Sequence, residues 1–388
     1  MPDNRPLFLA VLPALLCIAM VFLITGASLA TLPLYISQDL GYGPSVVGFV
    51  AALQFIVALM SRVWAGRMAD TKGPKAALIV SLAMTFAAGA FYLGSTALAD
   101  TPPVALAVLM GARVLLGAAE SFIVTSCQSW GLALAGRGRA AEVIGQVGVA
   151  LYVSLAIGAP LGAALYAIAG FPGIGALTLL IPLAALAIVT GRKGPTPLPQ
   201  PTAKGPSVLA SVMHPGIAAG LAGFSYSALA FFSVLLFLDR DWSPTWAPFT
   251  AFAIALILMR VAFPRLPDRL GARKTALIFL GVQVLGLAAM MQGAAMPLAL
   301  AGSFVAGIGY AFIYPALGRE AVQSVPPERV GLALGYYSAF FDLSMGVSGL
   351  VLGQVADRVG LWAVFFLAIL ASALAAVLVG RFPRKPIP

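Results

Sequence analysis

Three ionisable side chains lie deep inside otherwise apolar segments of this sequence. Arg113 and Glu120 are seven residues apart in one segment, so a helix would place them on one face. Asp342 lies in another segment, with no Lys or Arg within a helical turn. A charge in mid-membrane is costly, so such groups face the interior of a helix bundle or a water-filled cavity, where a carboxyl can exchange a proton. We expect these three residues to couple protons or to contact a substrate.

Structural roles are the alternatives for the same residues. Arg113 and Glu120 could form an ion pair that only joins helices, and a Ser or Tyr hydroxyl could cap Asp342 and fix the packing. Helical spacing places Ser338, Asp342 and Met345 on one small, polar stripe. We therefore expect this stripe to face a cavity and the neighbouring Phe340, Phe341 and Leu343 to point elsewhere.

A polar hairpin occurs twice, 198 residues apart, each time between long apolar segments. Both copies place an acid, a glycine and a cation at equal spacing, and the glycine suits a chain reversal with positive φ. The acid can accept from Arg side chains or cap a helix of the other half, which predicts a cytoplasmic gate. Plain positive-inside topology would explain the basic residues but not the matched acid and glycine. The gate residues are Gly66, Arg67, Asp70, Gly73 and Lys75 in the first copy and Asp268, Arg269, Gly271 and Arg273 in the second.

The composition requires a membrane protein. The chain is 61% hydrophobic and only 9% charged, with a mean hydropathy of +1.00. Because about 20 apolar residues cross a bilayer, the sequence predicts an all-α fold of twelve transmembrane spans. Nearly all Lys and Arg fall on one side, which places that side and both termini in the cytoplasm. The net charge of +10 is therefore no sign of nucleic-acid binding. The spans are 8–36, 44–66, 75–98, 103–134, 141–169, 172–190, 215–238, 245–266, 273–292, 297–318, 330–356 and 360–381.

One basic, proline-rich segment interrupts this pattern at the midpoint of the chain. It cannot pack a core and is typical of a linker. We therefore expect two six-span halves, residues 1–190 and 215–388, joined by a cytoplasmic linker over 191–214. Cys17 and Cys127 both lie within spans, which argues against a disulfide or zinc site.

These motifs resemble those of the major facilitator superfamily. The pattern Gly66-x-x-x-Asp70-x-x-Gly73-x-Lys75 is similar to that family's loop between spans 2 and 3, although Thr71 replaces the usual cation after the acid. Arg113-x-x-x-Gly117 resembles a signature of span 4. The segment Gly158-Ala-Pro160-Leu-Gly162 loosely resembles a motif of the drug/proton antiporter branch. Residues 312–331 are similar to bacterial carriers described as arabinose-efflux-permease-like. The resemblance implies two pseudo-symmetric six-helix bundles and transport by alternating access.

We interpret the sequence as a secondary transporter, not an enzyme, that uses the proton gradient to export a small organic molecule. Its partners would be that substrate, protons and the lipid bilayer of a bacterial inner membrane, and we expect a monomer without cofactor or metal. Proton-coupled uptake of a sugar or organic acid is the alternative, with Arg113 holding a substrate carboxylate. A non-transporting sensor or scaffold is a second alternative. Residues that could line a cavity are Gln54, Gln128, Tyr226, Tyr310, Tyr314 and Tyr337.

Overall fold

The computed structural model describes residues 7–135, 140–195, 208–263, 266–292, 295–323, 325 and 330–381. Helices and their connections account for these residues, which contain no strand. The all-α prediction is therefore confirmed. The helices are α1 Leu7–Leu34, α2 Pro44–Thr71, α3 Pro74–Ala97, α4 Pro102–Ala135, α5 Ala140–Thr190, α6 Val208–Ser227, α7 Ser233–Asp239, α8 Ala247–Ala262, α9 Leu266–Leu270, α10 Ala272–Gln292, α11 Met296–Tyr310, α12 Ile313–Val322, α13 Val330–Val359 and α14 Leu361–Gly380.

The helix count is consistent with the twelve predicted spans. Within the described ranges, ten helical segments are long and apolar enough to cross a membrane, and α8 is a shorter apolar helix. The π-helical segment Ala228–Phe232 joins α6 to α7, and together they form the predicted seventh span. The range of α5 contains two helices, which meet at the non-helical Gly170 and correspond to the predicted fifth and sixth spans.

Several span boundaries differ from the prediction: α2 continues to Thr71, beyond the predicted 66, and the predicted span 297–318 consists of α11 and α12. The helix α6 begins at Val208 and contains Pro215, whereas the predicted span begins at 215. The predicted span 245–266 ends as a helix at Ala262, and the short α9 follows. Hydropathy identifies the part of a helix that would lie in the membrane, but helices extend beyond it or end before it.

Equivalent glycines reverse the chain in both halves of the sequence. Gly73 and Gly271 have φ of 91° and 78°, and Gly170 and Gly360 have φ of 61° and 111°. This left-handed region is accessible to glycine at little cost. The predicted positive φ at Gly73 is confirmed, and Gly271 shares it. The repeat therefore extends from the sequence to the backbone conformation.

The described chain forms two compact units. The first comprises Met1–Tyr42 and Leu53–Gln200, and the second comprises Gly43–Ala52 and Pro201–Pro388. The predicted domain limits 1–190, 191–214 and 215–388 stay a prediction, because linker residues 196–207 lie outside the described ranges.

Glycines allow close helix packing within the first unit. A Cβ on Gly26 of α1 would lie 2.6 Å from the Leu155 carbonyl oxygen of α5, and one on Gly162 would lie 2.5 Å from the Ala27 Cα. A Cβ on Gly158 would overlap the Leu23 carbonyl oxygen in the same way. Small residues permit this backbone contact between membrane helices, so α1 and α5 are held together at the predicted antiporter-like motif.

A second type of close helix crossing occurs once in each unit. A Cβ on Gly117 of α4 would overlap the Gln54 carbonyl oxygen of α2, and a Cβ on Gly307 of α11 would overlap the Phe252 carbonyl oxygen of α8. Gly307 follows Gly117 by 190 residues and Phe252 follows Gln54 by 198. The two crossings are therefore products of the same repeat.

The first turns of α2 pack on α13 within the second unit. The backbone N–H of Ser45 donates to the Asp357 carboxylate at 3.1 Å, and the Ser45 hydroxyl donates to the Gly353 carbonyl at 3.3 Å. A Cβ on Gly349 would lie 2.8 Å from the Gly48 carbonyl oxygen. Asp357 thus provides an acceptor for an N–H group at the start of α2, where helical donors otherwise lack partners.

Candidate transport site

Glu120 is a buried carboxyl group on α4 of the first unit. Its side chain is 7% exposed, and the Thr25 hydroxyl of α1 donates to its Oε1 at 2.8 Å. Thr25 is itself only 6% exposed. A carboxyl group in a protein interior is retained where it has hydrogen-bond partners or a function that needs its charge. Glu120 therefore has a hydrogen-bond donor within the protein interior.

Arg113 lies two helical turns from Glu120 on α4 and is 1% exposed. Its Nη1 donates to the Tyr92 hydroxyl of α3 at 3.2 Å, while its Nε has no hydrogen-bond partner among the described residues. An ion pair between Arg113 and Glu120 stays an alternative.

The ring of Tyr92, whose hydroxyl accepts from Arg113, belongs to a small cluster of aromatic side chains. The rings of Tyr35 and Phe171 stack with centroids 4.1 Å apart, and Tyr92 lies 5.1 Å from Phe171. The Tyr35 hydroxyl bonds Ser95 at 3.0 Å. The Arg113 cation is thus held beside apolar rings and away from solvent, where an unneutralised charge is costly.

Asp342 is the buried carboxyl group of the second unit. It lies on α13, is 6% exposed, and is followed by fully buried Met345. Neighbouring Ser344 donates to the Gly220 carbonyl of α6. Phe340 packs against Gly216, and Leu343 is exposed. Asp342 and Met345 of the predicted polar stripe are therefore both buried, and their role at a substrate site stays a prediction.

Four predicted cavity residues belong to one aromatic cluster of the second unit. Tyr226 lies at its centre, with ring centroids 5.9 Å from Tyr310 and 6.0 Å from Phe341. Tyr314 and Tyr337 are 4.6 Å apart, and the Tyr337 hydroxyl donates to the Tyr314 carbonyl at 2.8 Å. Phe341 belongs to this cluster and directly precedes Asp342 in the chain. The cluster therefore provides an apolar surface next to a buried carboxyl group.

The two predicted glutamines belong to the first unit, and the structure adds a third glutamine. Gln54 is 1% exposed, and its Oε1 has no hydrogen-bond partner among the described residues. Gln128 is half-buried. Gln283 of α10 was not among the predicted residues, although a Gln in the middle of an apolar span is a usable signal. It is fully buried and donates to the Ala222 carbonyl at 3.0 Å.

The last cation of each repeated hairpin binds the end of a helix in its own unit. Lys75 Nζ donates to the carbonyls of Thr190 at 3.1 Å and Arg192 at 2.5 Å, after the end of α5. Arg273 donates to the carbonyls of Val379 and Gly380 at the end of α14. A cation is favourable at a helix C-terminus, where carbonyls lack intrahelical partners.

The other gate residues occupy varied positions. Asp70 and Gly66 are half-buried, and Arg67 and Arg269 are exposed. A Cβ on Gly66 would meet no atom within 4 Å, so packing does not require this glycine. The Asp268 side chain lies outside the described residues. The hypothesis that these residues latch the two halves stays a prediction.

Removal of either helix-end cation is expected to lower thermal stability. We expect Lys75→Met and Arg273→Met each to lose roughly 0.3–1 kcal/mol, the typical value of a cation at a helix C-terminus. The melting temperature of the purified protein measures this loss. Lys72→Met and Lys274→Met are matched controls, because both lysines are exposed and donate to no carbonyl of the described chain. Equal melting temperatures for test and control variants would contradict the prediction.

A separate cavity of about 370 Å³ lies in the second unit. Its lining includes Pro44, Asp239, Arg240, Asp357 and Trp362. None of the residues predicted to bind substrate or protons belongs to this lining. The cavity is therefore distinct from the surroundings of Glu120 and Asp342.

The sequence comparisons show which family this chain belongs to. The profile of the Major Facilitator Superfamily matches residues 14–316 and 216–388, and the chain is a member of that family of membrane transporters. It is 38% identical over 364 residues to an uncharacterised MFS-type transporter of Salmonella typhimurium, covering 94% of each chain. It is 32% identical over 374 residues to the uncharacterised MFS-type transporter YhhS of Escherichia coli, covering 94% of this chain and 90% of the relative.

Solved structures share the fold at lower sequence identity. The nucleoside transporter NupG has a TM-score of 0.76 and 15% identity, with 96% of this chain and 99% of that chain covered. The human organic anion transporter MFSD10 has a TM-score of 0.71 and 16% identity, with 97% and 100% covered. These similarities confirm the predicted fold class. The protein is a non-enzymatic, multi-pass membrane transporter of bacterial type, and a small-molecule substrate follows from its family.

Proposed function

We propose that this transporter exports a small organic molecule in exchange for protons. The observation that carries the proposal is Glu120, a buried carboxyl group with a hydroxyl donor at 2.8 Å. In a bilayer, an ionisable side chain at such a position is by default a functional group. Asp342 would be the second proton carrier, since it is buried in the other unit beside the aromatic cluster.

In this mechanism, substrate and protons use a shared pathway and move in opposite half-cycles of alternating access. Protonation neutralises Glu120 and Asp342 on one side of the membrane, and deprotonation on the other side restores their charge. The aromatic cluster supplies an apolar surface, which suits a small, partly apolar substrate. The repeated hairpins would act as the gate of the cytoplasmic side. The proton gradient supplies the energy, and the carrier works as a monomer in a bacterial inner membrane with both termini in the cytoplasm.

Uptake of an organic acid is the second candidate. It is favoured by Arg113, a buried cation whose Nε lacks a hydrogen-bond partner among the described residues. A guanidinium binds a carboxylate through two parallel hydrogen bonds. The structural neighbour MFSD10 is described as an organic anion transporter, but at 16% identity that likeness concerns the fold alone.

Reconstitution separates the two candidates. Purified protein would first be screened by thermal shift with organic cations, organic anions and nucleosides, because a bound ligand raises the melting temperature. Proteoliposomes containing a pH-sensitive dye would then report proton movement when a stabilising compound is added outside. Exchange makes the lumen more alkaline as the compound enters, whereas co-transport makes it more acidic. A compound that crosses without any proton movement would overturn proton coupling altogether.

Replacement of Asp342 is expected to alter both pH response and affinity. Asp342→Asn should remove one of the groups whose protonation changes the transport rate, because an amide does not titrate. Asp342→Ala should also weaken binding about tenfold, equivalent to a hydrogen bond of about 1.4 kcal/mol. The pH profile of transport and a binding isotherm measure the two effects. Asp239→Asn is the control, since Asp239 is exposed at the end of α7. If Asp342→Asn keeps the wild-type pH profile, Asp342 carries no proton.

A further inference from the structure

The Thr25 hydroxyl lies within reach of two acceptors but has only one proton to donate. Its Oγ1 is 2.8 Å from Glu120 Oε1 and 3.4 Å from the Val21 carbonyl oxygen of its own helix. A hydroxyl group donates one hydrogen bond and can accept others. The donor therefore serves one acceptor at a time, and the shorter distance identifies Glu120 as the partner in this structure.

Protonation of Glu120 would reverse this hydrogen bond. An ionised carboxylate only accepts, so Thr25 must donate to it. When the carboxylate gains one proton, its new O–H can donate to Thr25 Oγ1, and the Thr25 proton is then free to turn to the Val21 carbonyl. No other bond forms or breaks, and the proton comes from the gradient that drives transport. The hydroxyl can therefore satisfy Glu120 in both of its protonation states.

The backbone around Thr25 is held in place by close packing. A Cβ on the next residue, Gly26, would lie 2.6 Å from the Leu155 carbonyl oxygen, and a Cβ on Gly162 of α5 would lie 2.5 Å from the Ala27 Cα. Thr25 and Glu120 are both at least nine-tenths buried. A functional group on such a rigid element keeps its geometry, because its supporting contacts leave little room for movement.

We propose that Thr25 is a positioning residue for proton transfer, which changes its hydrogen-bond acceptor from Glu120 to Val21 when Glu120 takes up a proton. This inference rests on the proposed function, in which Glu120 carries a proton. The hydroxyl fixes the carboxyl against α1 at the point where α1 crosses α5. Each uptake or release of a proton on α4 thereby changes a hydrogen bond of α1.

Infrared difference spectroscopy of the reconstituted full-length protein tests this inference without a substrate. A protonated carboxyl group absorbs at a higher frequency when it loses a hydrogen-bond partner. In spectra recorded between high and low pH, Glu120→Gln should abolish one carboxyl band and thereby assign it. Thr25→Val, which replaces the hydroxyl with a methyl group, should move that band to higher frequency. Thr25→Ser should keep the wild-type frequency, because it retains the hydroxyl.

Thr31→Val is the matched control on the same helix. Thr31 is also buried, and its hydroxyl donates to the Ala27 carbonyl at 2.9 Å, so this change should leave the Glu120 band unmoved. If Glu120→Gln removes a band that Thr25→Val does not shift, the role of Thr25 is overturned while Glu120 remains a proton carrier. If Glu120→Gln removes no band, Glu120 does not titrate, and both the proposed proton carrier and the role of Thr25 are overturned.

Discussion

Replacement of Glu120 with Gln is expected to abolish transport driven by a pH gradient and to leave folded protein in the membrane. The amide has nearly the shape of the carboxyl group and still accepts from Thr25, but it cannot bind and release a proton. Driven accumulation of a transported compound in proteoliposomes should therefore fall to the level of protein-free liposomes. Exchange of labelled for unlabelled compound without net proton movement should continue.

Two control measurements make this outcome decisive. Asp100→Asn removes an exposed carboxyl group and should retain driven transport. The melting temperature of Glu120→Gln should stay close to that of the wild type, because the amide has nearly the size of the carboxyl group and keeps the acceptor for Thr25. If Glu120→Gln accumulates the compound against a gradient as the wild type does, Glu120 is not the coupling residue.

Replacement of Gly117 with Ala is expected to be the most damaging single-methyl change in the first unit. The added Cβ would overlap the Gln54 carbonyl oxygen, and a backbone atom cannot move aside as a side-chain tip can. Overpacking of this kind costs about 1–3 kcal/mol, so the melting temperature of the purified protein should fall clearly. Because Arg113 and Glu120 are on the same helix, transport should decline with it.

Three other glycines provide the comparison: Gly307, the equivalent of Gly117 in the second unit, and two glycines that have free space for a methyl group. Gly307→Ala should cause a similar loss, since its Cβ would overlap the Phe252 carbonyl oxygen. Gly148→Ala and Gly281→Ala should be tolerated, because a Cβ there meets no atom within 4 Å and Ala favours a helix over Gly. A Gly117→Ala protein as stable as Gly281→Ala would show that α2 and α4 can separate at this crossing without loss.

Residue type and spacing identified several features that the structure retains. The two hairpins predicted a duplicated bundle, and the glycine pair at 73 and 271 adopts equivalent positive φ. The isolated charges predicted buried groups, and Arg113, Glu120 and Asp342 are all buried. These inferences succeeded because apolar length and mid-membrane charge are properties of the local sequence, and the bilayer favours the first and penalises the second.

Hydrogen-bond partners depended on helices distant in the sequence. The spacing of Arg113 and Glu120 places them on one helix face, but it does not show that Arg113 binds Tyr92 or that Glu120 accepts from Thr25. The Lys and Arg residues of the hairpins could have served only to set the orientation of the helices in the membrane. Lys75 and Arg273 nevertheless bind carbonyls more than 100 residues away. Helical periodicity shows which residues share a face, but it contains no information about the helix opposite that face.

By itself, the sequence determined the membrane class, the repeat and the positions of the buried charges, because each follows from hydropathy and spacing along one segment. Only the tertiary structure decided which groups meet. It placed Thr25 against Glu120, Tyr92 against Arg113 and Gly117 against the backbone of Gln54. The physical reason is that contacts between helices depend on crossing positions and rotations, which are set by the packing of many side chains and cannot be read from a single helix.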